Sequence, residues 1–127
     1  MKKQLVSAFV AAVGFVLLSG RAFAADPAVA RVLIVEAPDL SAYLKEVAVI
    51  NNLQKKNGIT TTIRVWRAKY AGPNSGSIVV AVEYPNLAML AKADAATRSN
   101  AEIAAEVKKI GGLRKIISDS VYEEQSY

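Results

Sequence analysis

Between Ile59 and Tyr84 the chain spells two β-branched, aromatic-containing runs around a cluster of turn formers, a pattern that admits little besides a β-hairpin. Ile59-Thr-Thr-Thr-Ile-Arg-Val-Trp-Arg-Ala-Lys-Tyr70 reads as the first strand. Ala71-Gly-Pro-Asn-Ser-Gly76 is the loop, and Ser77-Ile-Val-Val-Ala-Val-Glu-Tyr84 the second strand. Alternation places Ile59, Thr61, Ile63, Val65, Arg67 and Lys69 on one side, and Thr60, Thr62, Arg64, Trp66, Ala68 and Tyr70 on the other. Pairing Tyr70 with Ser77 across the loop sets Arg64 opposite Glu83 and Trp66 opposite Ala81. Ile78, Val80, Val82 and Tyr84 then join Ile63 and Val65 on an aliphatic side suited to helices. A one-residue slip would exchange the second strand's faces.

The flanking segments supply that cover. Arg31 to Ala37 is an apolar run of strand length, stopped by Pro38 and Asp39. Asp39 is a good N-cap for a helix in which Leu40, Tyr43, Leu44, Val47, Ile50 and Leu53 recur at helical spacing. Asn57-Gly58 ends it. After the hairpin, Asn86 caps an Ala-rich helix from Leu87 to Thr97. Ser99-Asn-Ala-Glu102 reads as a capping box, so the helix breaks near Arg98 and restarts over Ala101 to Ile110, up to Gly111-Gly112. A last strand runs from Leu113 to Tyr122, and Glu123 to Tyr127 forms a tail. The order strand, helix, strand, strand, helix, strand is that of an α+β, ferredoxin-like βαββαβ fold. It predicts a four-stranded antiparallel sheet with helices on one face and the other face bare.

The N-terminus reads as an address. Lys2 and Lys3 precede an apolar run from Leu5 to Leu18, and Ala22-Phe23-Ala24 is a small-x-small cleavage signal. The run is shorter than the roughly 20 apolar residues that span a bilayer. Residues 1–24 are therefore predicted to be a cleaved signal peptide, leaving a single domain over residues 25–127 in the periplasm or the medium, with no membrane attachment after cleavage. An uncleaved anchor is the other reading. Removing Lys2, Lys3 and Arg21 from the 16 basic residues leaves 13 against 11 acidic, a net +2, so the basic balance of the whole chain is no argument for nucleic acid.

With the fold order and the residues in view, the chain resembles the dimeric α+β barrel superfamily over Arg31 to about Glu124. The resemblance rests on the strand Gly76-Ser-Ile-Val-Val-Ala-Val-Glu-Tyr84, the helix start Pro85-Asn-Leu-Ala-Met-Leu and the interrupted second helix. That superfamily includes cofactor-free monooxygenases of antibiotic biosynthesis, muconolactone isomerases, haem-binding enzymes and many small proteins without assigned function. It implies a homodimer in which two bare sheets close one barrel, and a ligand seat between sheet and helices. Fold alone transfers no activity.

The residue inventory excludes more chemistry than it suggests. There is no His and no Cys. Nucleophile pairs with His, the usual zinc sites and His-ligated haem thus lack their residues. No cofactor and no metal are expected. Gly72-Pro-Asn-Ser-Gly76 lacks the Lys and the helix of a phosphate loop. What remains is aromatic and charged. Arg64, Trp66, Tyr70, Glu83 and, from the first helix, Tyr43 are the candidate ligand-binding residues, able to line a pocket for a flat or apolar molecule. Each has a plainer reading: Trp66 and Tyr70 as interface fillers, Arg64 and Glu83 as a cross-strand ion pair, Tyr43 as core. No residue is assigned a catalytic role. The expected function is binding of a small organic ligand. The alternative is a cofactor-independent monooxygenase or isomerase using Tyr, Asp or Glu as acid or base. Reading of single-stranded nucleic acid on the sheet is disfavoured by export and near-neutral charge.

Overall fold

The structure, a computed structural model, describes residues 26–127; the predicted signal peptide and its cleavage motif lie outside the described residues. The elements run β1 (Val29–Glu36), α1 (Leu40–Lys56), β2 (Thr62–Arg67), β3 (Ile78–Tyr84), α2 (Leu87–Ser99), α3 (Ala101–Gly111) and β4 (Lys115–Glu123). The strands form one antiparallel sheet in the order β2-β3-β1-β4. This is the expected α+β, ferredoxin-like βαββαβ arrangement, with the second helix in two pieces. Among the described residues no helix is long and apolar enough to cross a membrane.

Caps set the helix ends. Asp39 accepts from the Ala42 N–H at 3.0 Å and Asn86 from Met89 at 2.8 Å, each satisfying a donor that a helix start leaves unpaired. Gly58 takes φ +72° behind α1, a conformation an L side chain rarely adopts. The break between α2 and α3 differs in detail from the expected capping box. Asn100, not Ser99, is the cap: its side chain accepts from Ile103 at 3.1 Å, whereas the Ser99 hydroxyl donates back to Ala95 O at 2.9 Å. Asn100 wins because its amide has a second use, donating to Asn57 Oδ1 at 3.0 Å and tying the break to the end of α1. Lys109, in the last turn of α3, reaches Glu46 of α1 at 3.0 Å.

The hairpin closes two residues earlier than expected. Arg67 pairs with Ile78, and the Ala68 N–H donates to Ser77 O at 2.9 Å, so Ser77 meets Ala68 and not Tyr70. The longer loop is built on a turn of 3₁₀ helix over Gly72–Asn74, with positive φ at Gly72 and Gly76. Consequently Arg64 lies opposite Ala81, Trp66 opposite Val79 and Thr62 opposite Glu83. A two-residue shift preserves the side each residue faces, so the predicted faces stand. The ladder of β2 also starts late, at Thr62. The Thr61 hydroxyl bonds Glu83 O at 3.0 Å, and Ile59 and Thr61 are buried ahead of the strand.

The core lies between the helices and one sheet face. Val29, Leu33 and Val35 of β1 and Ile78, Val80 and Tyr84 of β3 are buried there. Tyr43 and Ile50 of α1, Leu90 and Ala93 of α2, and Ile103 and Ile110 of α3 close over them. The opposite face carries Val32, Ile34, Val79, Ala81 and Trp66, with no element of the described residues packed on it.

Candidate functional site

Between the helix-facing side of the sheet and the three helices lies a cavity of about 420 Å³. Its floor is Leu33, Ile63, Val80 and Val82, and its roof Val47, Ile50, Val107 and Ile110. These walls follow from the alternation of the strands and the helical spacing of α1 and α3. The polar residues gather at its two ends.

At the end where β1 begins, Arg31 projects inward from a central strand. It holds Asp119 of β4 by two bonds, Nε–Oδ1 at 3.0 Å and Nη2–Oδ2 at 2.7 Å, and Asp94 of α2 by Nη1–Oδ1 at 3.2 Å. One guanidinium thus clamps the edge strand and α2 to the middle of the sheet. The bond from Arg31 draws the Asp119 carboxyl below its usual range, and the same bond raises Arg31. Burial, with the Asp94 charge beside it, pushes the Tyr84 phenol up, so Tyr84 stays a neutral O–H donor at physiological pH. Thr97 and Arg98 of α2 also line the cavity.

Because the folded pKa of Asp119 is depressed, the clamp's contribution is present above the unfolded value near ~4 and lost as pH falls through the folded one. Both side chains are more than a third exposed, so water and salt screen the pair and its worth is about 1 kcal/mol. Asp119→Asn is expected to lose about that much at pH 7 and to flatten the acid limb of stability against pH. Urea unfolding between pH 7 and pH 3 reads this; equal pH slopes in both proteins would refute it.

At the other end, Arg114, just ahead of β4, donates Nη1 to the Tyr43 hydroxyl at 3.0 Å, with its guanidinium carbon 5.9 Å from the ring centroid. Tyr43 is fully buried. The Nε of Arg114 is buried without a hydrogen-bond partner among the described residues; so is the Oε1 of Gln54, which lies on the last turns of α1, eleven residues along the helix from Tyr43. No group of three or more acidic side chains among them converges on a metal position. A second hollow of about 520 Å³ sits at the sheet end between Thr60–Thr62, Glu83–Pro85 and Tyr122–Glu124. It is larger, but its charged side chains are all acidic and no helix residue lines it.

The structure separates the residues singled out from the sequence. Tyr43 lines the cavity. Arg64, Trp66 and Glu83 sit together on the opposite, uncovered face. Arg64 Nε reaches Glu83 Oε2 at 3.2 Å on the diagonal, with both side chains about half exposed. Tyr70 stands apart in the loop, wholly exposed. The sequence reading missed Arg31, Asp94, Arg98, Arg114 and Gln54. A signal existed for the first: between Val29 and Leu33, Arg31 is a charge on the inward side of a central strand.

The sequence matches no family model and no curated protein. Among solved structures, the fold is similar to that of a protein from Bacteroides thetaiotaomicron VPI-5482, described as a conserved protein of unknown function and possible oxidoreductase. The similarity has a TM-score of 0.56 at 13% identity and covers 79% of this chain and 100% of the other. At that identity it speaks for the fold and leaves the site to be argued from its own residues.

Proposed function

We propose that this is an exported homodimer that binds a small organic molecule between its sheet and helices. The observation that carries the reading is the cavity: about 420 Å³, with aliphatic walls and polar groups at its ends. Ligand sites run from about 300 to 1,000 Å³ and combine apolar walls with a few placed polar groups. Export is proposed from the basic start, apolar run and Ala22-Phe23-Ala24 motif. The homodimer is proposed from the uncovered face, where Trp66 and Tyr122 are at least half exposed beside Val32 and Ile34, a patch monomers rarely leave in water. With a second sheet against it, the arrangement would be the dimeric α+β barrel.

A second reading is a cofactor-independent enzyme, a monooxygenase or isomerase. Tyr84 favours it: a phenol kept neutral on the cavity wall could donate a hydrogen bond to negative charge developing on a bound substrate. The structural neighbour's description as a possible oxidoreductase is compatible with this. Stabilisation by a ligand without its turnover separates the two.

Native mass spectrometry on protein recovered from the exporting bacterium tests the first reading in one experiment. The expected species is two chains, each beginning at Ala25, carrying a small organic mass. Met1 retained would refute export, and a one-chain mass the dimer. No bound mass, together with no stabilising compound in a thermal-shift screen of organic metabolites, would overturn ligand binding.

A further inference from the structure

The charges around the cavity do not balance, and the imbalance has a location. Arg31, Arg98 and Arg114 line it against a single lining carboxylate, Asp94. Arg31 is fully matched by Asp94 and Asp119. Arg98 is exposed and sits in the last turn of α2, where a cation needs no further partner. Arg114 is different. It is only partly exposed, and its one hydrogen bond among the described residues runs from Nη1 to the neutral Tyr43 hydroxyl. Its Nε–H is buried with no acceptor, and no carboxylate of the described residues forms an ion pair with it; Asp119, already held by Arg31, feels its charge without contact.

A cation held this way is costly unless something pairs with it. Tyr43 offers part of the compensation through its hydroxyl and its ring face, and also fixes where the guanidinium points. A guanidinium presents donors in a planar fork that matches a carboxylate, and such charge-assisted bonds are the strong ones. The neighbouring walls, Val107, Ile110 and Ile116, are aliphatic. They suit an apolar body and offer nothing to a second or third negative charge. A phosphate monoester, with its higher charge and greater number of acceptors, is therefore a poorer match than a singly charged acid.

Resting on the ligand-binding reading above, we infer that the ligand is an organic monocarboxylate with an apolar body, its carboxylate received by Arg114 beside Tyr43. Arg114 is then the residue that selects acids over neutral molecules of the same shape.

The test is titration calorimetry at pH 7 on the mature protein with 2-naphthoate and its methyl ester, which share the apolar body and differ in charge. A charge-assisted pair of this kind is worth between about 10-fold and 100-fold in affinity. The acid is expected to bind more tightly than the ester by that factor, and Arg114→Gln to erase the preference by weakening the acid alone. Lys108→Gln, which removes the same charge from an exposed position outside the cavity lining, is expected to keep it. Should Arg114→Gln fail to melt cooperatively, Arg114→Lys carries the test: it keeps the charge, loses the fork and is expected to lose most of the preference. An ester that binds as tightly as the acid, or a preference that survives both Arg114 variants, overturns the carboxylate inference and leaves the cavity as a ligand site. Failure of both compounds to bind overturns the use of the cavity for such ligands, and this inference with it.

Discussion

Tyr43→Ala is expected to destabilise the fold by about 3–5 kcal/mol, the range for removing a large buried aromatic, whereas Tyr43→Phe should cost about 1–3 kcal/mol. Tyr43 is fully buried where α1 meets the cavity, so truncation deletes contacts the surrounding helices cannot restore by collapse. The Phe variant keeps the ring and removes only the hydroxyl. It therefore isolates the bond from Arg114, whose guanidinium is left with no acceptor among the described residues. A charged donor stranded in a half-buried place explains why the smaller change still registers. Denaturant unfolding at fixed protein concentration measures both. If Tyr43→Phe unfolds at the wild-type midpoint, the hydroxyl does not hold Arg114. The Arg114 guanidinium would then not be positioned by Tyr43 at all.

The fold was legible because its signals are local and agree with one another. Asp39, Asn86 and Gly58 sit where caps and stops are needed, and the inward residues of β1 and β3 alternate as a half-covered sheet requires. Where the reading slipped, a side chain had two competing uses. Ser99 and Asn100 can each cap a helix, and only the distant Asn57 decides between them. Loop length has the same weakness. The 3₁₀ turn over Gly72–Asn74 absorbs two more residues than the turn formers alone suggest, and nothing in Ala68 or Lys69 announces that the ladder has ended.

The site was much less legible. Arg31, Asp94 and Asp119 lie on three elements, separated by 63 and 88 residues, and no spacing rule joins them. Arg114 follows a Gly-Gly stop and reads as a solvated start to a strand. Its importance depends on Tyr43, 71 residues away, and on what is missing around it. Arg64, Trp66 and Glu83 are conspicuous in sequence because they lie on the aromatic hairpin. The structure puts them on the face away from the cavity.

That face supplies the other large expected effect. Val32→Lys is expected to weaken the proposed homodimer by about 10²- to 10⁴-fold, so that light scattering at micromolar concentration reports one chain in place of two. Val32 sits in the middle row of the uncovered face, between Ala81 and Ser120. On an open sheet a lysine there reaches water and costs within about 1 kcal/mol. Between two closed sheets it is a buried, unpaired charge worth about 3–5 kcal/mol, and twofold symmetry sets a second copy near it. The Arg64–Glu83 pair gives an independent reading of the same cover. In a single chain it is about half exposed, so Arg64→Ala should cost about 0–1 kcal/mol. In the dimer, losing Arg64 strands Glu83 in a drier place, at about 3–5 kcal/mol. The two substitutions should therefore be strongly non-additive, with Arg64→Ala severe in the wild-type background and nearly silent beside Val32→Lys. If Arg64→Ala costs the same in both backgrounds, the pair is not covered by a second sheet, whatever mass the protein shows.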